Sequence, residues 1–139
     1  MNQTAIFWPM LAQVALVFGV YGVLFLRRRQ AVTEGSATSA QFRDNRDEPR
    51  QSLSARNNLA NQFELPTLFY PACLGLYGVG AADLTAVVLA WLFVVTRYLH
   101  AAVHLTSNSL RYRSPVFGLG YVVLGAMWLW LALHLLGWF

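Results

Sequence analysis

The chain has 139 residues, 57% of them hydrophobic and only 12% charged, which is far from the balance of soluble domains and is long enough for one domain. Its net charge of +4 comes from ten arginines and no lysine. Nine of them fall in the two segments Arg27–Arg56 and Arg111–Arg113. That is the positive-inside pattern of a membrane protein and not the basic face of a nucleic-acid binder.

Four apolar stretches follow one another at about 5–26, 59–80, 84–105 and 116–138. A bilayer core of about 30 Å needs about 20 helical residues, so each predicts a transmembrane helix. Nothing alternates as the strands of a barrel would. The expected fold is a single all-α domain over residues 1–139, a four-transmembrane-helix bundle running up and down. No basic residue precedes the first stretch, and Arg27-Arg28-Arg29 follows it. It therefore reads as an anchor and not as a cleaved signal peptide. The segment 27–56 is rich in Gly, Ser, Thr and mixed charge and reads as a mobile loop, with Ser52 or Ser54 as N-cap of the next helix. Pro66 and Pro71 predict kinks in the second helix. The lone Cys73 cannot form an internal disulfide and reads as packing. Asp83 is a natural N-cap for the third helix, which makes the second and third helices a tight hairpin. Pro115 predicts the start of the fourth, with Ser114 as its N-cap. Trp8, Trp128, Trp130 and Trp138 read as interface anchors, with His134 interfacial too. The arginines place loops 27–56 and 106–115 in the cytosol and both termini outside.

Polar residues interrupt two of the apolar stretches. Asn57, Asn58, Asn61, Gln62 and Glu64 open the second, and Arg97, His100 and His104 lie inside the third. An ionisable group at membrane depth costs roughly 2.5–3.5 kcal/mol on insertion scales and is usually functional. At about 1.5 Å per residue, Glu64 lies about 9 Å in, Arg97 about 12 Å and His100 about 8 Å. The acid and the base thus meet at similar depth on antiparallel neighbours, where an ion pair is tolerable. Asn57, Asn61 and Glu64 share one helical face, as do Arg97, His100 and His104. Continuing the latter face brings in Asn108 and Arg111. Such a wall suits a small polar anion arriving from the cytosol. The same residues also suit a structural ion pair and interhelical hydrogen-bond glue. The spacing is not that of a metal site.

The run Arg56-Asn57-Asn58-Leu59-Ala60-Asn61-Gln62-Phe63-Glu64-Leu65-Pro66 resembles the second-helix motif of the MAPEG family, membrane-associated proteins in eicosanoid and glutathione metabolism. Asn61 and Glu64 match its Asn-x-x-Glu core. Arg97–Ser114 resembles the exit of the family's third helix, where Arg97 and His100 match. His104 stands where eicosanoid-forming members have Tyr, and Ala60 replaces a basic residue. The resemblance, to a bacterial-type member of the inner membrane, implies a homotrimer with glutathione as co-substrate between protomers near the cytosolic side. It implies that Arg56 and Arg97 hold the glutathione carboxylates, Glu64 the amine, and Asn61 and His100 the peptide. It also implies a thiolate-stabilising cation, which falls on Arg113 by one branch's spacing and on Arg111 by another's. The expected activity is a glutathione-dependent transferase or peroxidase acting on lipophilic electrophiles. The alternatives are a non-catalytic membrane module whose polar residues are helix glue, and a small transporter or channel.

Overall fold

The computed structural model describes residues 2–138. Among them the elements are all helical: a 3-10 turn at Gln3–Ile6, α1 (Phe7–Thr33), α2 (Ser39–Asp44), α3 (Arg50–Gln62), a 3-10 turn at Leu65–Leu68, α4 (Phe69–Gly78), α5 (Leu84–Leu105) and α6 (Leu110–Leu135). Three stretches are long and apolar enough to cross a membrane, Gln3–Thr33, Leu84–Leu105 and Leu110–Leu135.

The expected second span is broken. α3 stops at Gln62, Glu64 leaves helical geometry with φ −95° and ψ −109°, and the chain resumes through Leu65–Leu68 into α4. Pro66 is the cause. It has no N–H for the Gln62 carbonyl four residues back, its ring would clash there, and it disfavours helical geometry at Leu65. Pro71 then falls in the first turn of α4, where a missing donor is tolerated. Two expected kinks have become one break. The indole of Trp128 donates to the Leu68 carbonyl beside it at 3.2 Å, so this tryptophan has an intramolecular partner besides any interfacial role.

The ends of the helices also differ from expectation. Asp83 does cap α5, accepting from the Ala86 N–H at 2.9 Å. α6, however, starts five residues before Pro115, after Ser109, and Pro115 lies inside it. The N-cap of α3 is Pro49, ahead of Ser52 and Ser54. The side chain of Gln3 donates to the Gly80 carbonyl and accepts from the Ala82 N–H, clamping the α4–α5 turn. At the other end Arg27 donates to Leu105 O, Gln51 O and Ser54 Oγ. These two clamps make α1 and α5 parallel and gather the basic connections at one end.

Segment 27–56, expected as a mobile loop, is largely helical: α1 continues to Thr33, α2 follows, and α3 begins at Arg50. Glu48 ties it back. Its side chain is 1% exposed and meets Arg28 through two hydrogen bonds of 2.8 and 3.0 Å and Arg56 at 3.5 Å. Arg27, Arg28 and Arg56 are therefore engaged internally, not simply solvated. Burial alone would raise the Glu48 carboxyl, but the Arg28, Ser52 and Arg56 contacts outweigh it and hold the pKa below its ordinary 4.5. The stabilisation is complete above that value and is lost as pH falls below it. Both arginines are partly exposed, so we expect about 1–2 kcal/mol after screening. Hydrogen-exchange protection across residues 34–49, measured relative to the intrinsic rate at each pH, should fall on acidification, and Glu48→Gln should show low protection at every pH.

The core at the N-terminal end of α5 joins α4, α5 and α6 through Phe69, Leu76, Phe93, Leu124 and Met127. Phe69 stacks on Phe93 at 4.6 Å. Cys73 is buried there, as packing. α5 and α6 pack closely at Gly120, where a Cβ would lie 2.8 Å from Thr96 Oγ1. Gly120→Ala should cost about 1–3 kcal/mol by overpacking. Gly125→Ala, with nothing within 4 Å of the added carbon, should leave the thermal midpoint unchanged.

Candidate functional site

The amides of α3 divide between two faces. Asn58 and Gln62 turn toward α1. Gln13 Nε2 donates to Gln62 Oε1 and Gln62 Nε2 to Asn58 Oδ1, each at 3.0 Å, and all three side chains are buried. This ladder is interhelical glue. Gln13, a single amide in an apolar span, was the signal for it in the sequence.

Asn57, Asn61 and Glu64, one step round the helix, face the other way. They form one wall of a cavity of about 500 Å³. Ala60 completes that wall, and His104 of α5 with Arg113, Ser114 and Phe117 of α6 supplies the opposite one. The small Ala60 side chain at the helix surface leaves this space open. Arg113 is held in place by Asn108, whose Oδ1 accepts from Nη1 at 2.5 Å. Asn108 adopts φ 50°, a left-handed geometry that Asn tolerates.

Arg97 and His100 stand one layer behind this cavity. Because α3 stops early, its last carbonyls lack helical partners. Arg97 Nη2 donates to one of them, Asn61 O, over a long 3.4 Å. A cation suits the negative end of the α3 dipole. The expected Glu64–Arg97 ion pair is not formed. The ion pairs among the described residues are Arg28–Glu48, Arg43–Asp44 and Arg56–Glu48, and Glu64 is exposed at the cavity. Arg97 is 1% exposed, and its Nε and Nη1 have no hydrogen-bond partner. Its guanidinium lies 5.9 Å from the centroid of Phe117. His100 and His104 meet edge to face at 5.7 Å, and His100 touches Phe117 at the same distance. Nδ1 of each imidazole is buried without a partner.

The expected site residues therefore separate. Asn61, Glu64 and Arg113 line one cavity, with Arg97 and His100 behind it. Arg111 is exposed outside, its guanidinium 6.0 Å from the Tyr112 ring. Arg56 is turned to Glu48 and does not line the cavity. His104, Ser114 and Phe117 join the site. His104 was marked in the sequence through its place on the α5 polar face, Ser114 only as an N-cap, and Phe117 not at all.

Chemically, the cavity offers one carboxylate, one cation at the wall, a second buried behind it, and amide and imidazole groups between them. It fits a zwitterionic or multiply charged polar ligand with more negative than positive charge. Its volume falls within the usual range of small-molecule sites, about 300–1,000 Å³. The family model described as MAPEG family matches residues 5–133. No curated protein and no solved structure matches the chain.

Proposed function

Given that the chain belongs to the MAPEG family, we propose that this integral membrane protein binds glutathione in the cavity between α3 and α6 and joins its thiol to lipophilic electrophiles. The observation that carries the reading is the charge pattern. Glu64, a carboxylate in no ion pair among the described residues, and Arg113 both line the cavity, and Arg97 is a buried cation behind it with two N–H groups lacking a hydrogen-bond partner among the described residues. Glutathione has the complementary groups: one amine, two carboxylates and two amides. Glu64 takes the amine, Asn57 and Asn61 take the peptide groups, and Arg97 makes the inner end of the cavity attractive to a carboxylate.

Arg113 supports the chemistry. A cation beside a thiol favours the thiolate, which is the nucleophile. The sulfur lone pair attacks the electrophilic carbon, a carbon–sulfur bond forms, and the leaving group departs with its electron pair. A peroxidase reaction would begin from the same thiolate. Phe117 gives the cavity an apolar contact, and an electrophile dissolved in lipid approaches sideways from the bilayer.

The reading carries further parts. The protein assembles as a homotrimer whose neighbouring protomer closes the open side of the cavity. The broken segment α3–α4 acts as the fourth span. The basic end faces the cytosol of a bacterial cell, and both termini face outward across the inner membrane. The test is conjugation of an aryl halide in liposomes. Glutathione-dependent product should form in the presence of the protein. A folded protein that forms none with glutathione in excess contradicts the activity.

The Gln13–Gln62–Asn58 ladder favours a structural role for those three residues. It does not extend to the cavity face, so the two readings divide the polar residues between them.

A further inference from the structure

We infer that the groove between α1 and α2 is a binding site for one anionic phospholipid. The groove has a volume of about 490 Å³ and shares no lining residue with the proposed glutathione cavity. Along α1 it runs from Tyr21 to Thr33, about 18 Å at 1.5 Å per residue.

Its polarity changes along that length. Along α1 the end toward the membrane centre is apolar, with Tyr21, Leu24 and Phe25; Phe25 is 64% exposed within a membrane-crossing stretch. Toward the end of α1 the lining becomes mixed: Arg28, Arg29 and Thr33 stand beside Val32, and α2 adds Ser39 and Phe42. The order matches a phospholipid lying with its acyl chain toward the membrane centre and its phosphate at the basic end. Charge decides the headgroup. Arg28, also in the groove, is paired with Glu48 and lies over Phe42 at 5.1 Å. Arg29 has no side-chain hydrogen bond or ion pair among the described residues, so its positive charge is uncompensated in the groove. The Ser39 hydroxyl is a second donor for phosphate oxygens. Basic residues at the membrane surface attract anionic lipids in general. Here one of them lines a largely apolar surface groove, which localises that attraction.

The site is independent of the glutathione reading, and its test does not use activity. The protein, delipidated in neutral detergent, is mixed with phosphatidylglycerol or phosphatidylcholine and examined by native mass spectrometry. We expect one phosphatidylglycerol retained per chain, with about tenfold preference over phosphatidylcholine, lost in Arg29→Glu and kept in Arg46→Glu. Arg46 is exposed and lies outside the groove, so it reports diffuse charge. Phe25→Asn should also release the lipid while leaving all charges in place. Equal retention of the two lipids, or equal loss from the Arg29 and Arg46 variants, would overturn the assignment. Retention of no lipid by the wild-type protein would do the same.

Discussion

Replacing Arg97 by methionine should weaken glutathione binding on the order of tenfold to thirtyfold while leaving the protein at least as stable. The two effects have separate causes. A unit charge about 7 Å from a bound carboxylate, at an effective dielectric of about 20, is worth about 2 kcal/mol, and that attraction disappears with the guanidinium. Stability behaves differently. Arg97 is 1% exposed, with two N–H groups unpartnered and a single long hydrogen bond to Asn61 O. Such a charge is costly to bury, and replacing buried ionic groups by apolar ones of similar volume is often neutral or stabilising by about 1–4 kcal/mol. A structural ion pair predicts the reverse: lost stability and no ligand effect. Thermal unfolding in detergent, run beside ligand titration, separates the two. Gln62→Leu is the opposite control. It breaks the ladder to Gln13 and Asn58, so it should destabilise by about 1–3 kcal/mol through unsatisfied amides and leave ligand affinity near wild type.

Arg113→Ala should lower turnover at neutral pH by about 10–100-fold, whereas Arg111→Ala should change it less than about twofold. The difference follows from position, since Arg113 lines the cavity and Arg111 is exposed outside it. Without the cation, the thiol pKa returns toward an ordinary value of about 8.5. The thiolate fraction at pH 7 then falls, so activity should recover as pH is raised. A pH–rate profile checks this directly. A midpoint displaced to higher pH in Arg113→Ala, with unchanged rate at the alkaline plateau, is the expected result. A loss that is equal at every pH would assign Arg113 to positioning the ligand.

Asn108→Ala removes the acceptor that holds Arg113, and it should show a smaller version of the same displacement.

The helices were legible because their signal is redundant: long apolar runs, Asp83 as a cap, and arginines gathered at one end. The break in the second span was only half legible. Pro66 announced a disturbance, but kink and break differ by whether the freed carbonyls find partners. That depends on Arg97 and Trp128 arriving from other helices. The start of α6 was misplaced for a related reason: Pro115 is favoured at a first turn but tolerated farther in, and local sequence does not reveal the preceding turn that begins at Leu110.

The polar wall was visible as composition and as helical periodicity. What periodicity left unresolved was direction. Asn57 and Asn58 differ by one residue, about 100° of rotation, and that step separates cavity wall from buried glue. Glu48 stayed hidden because an acid in a Gly- and Ser-rich connection looks solvated until the arginines that surround it in space are known. Glu64 and Arg97 were expected to pair and do not; the guanidinium donates to Asn61 O instead.

The most direct measurement is calorimetric titration of glutathione into the purified protein, wild type against Glu64→Gln and Arg97→Met. Saturable binding by the wild type, weakened in both variants while each remains folded, is the result predicted by a glutathione site between α3 and α6. No heat of binding from folded wild-type protein at millimolar glutathione would contradict it, as would undiminished binding by the two variants.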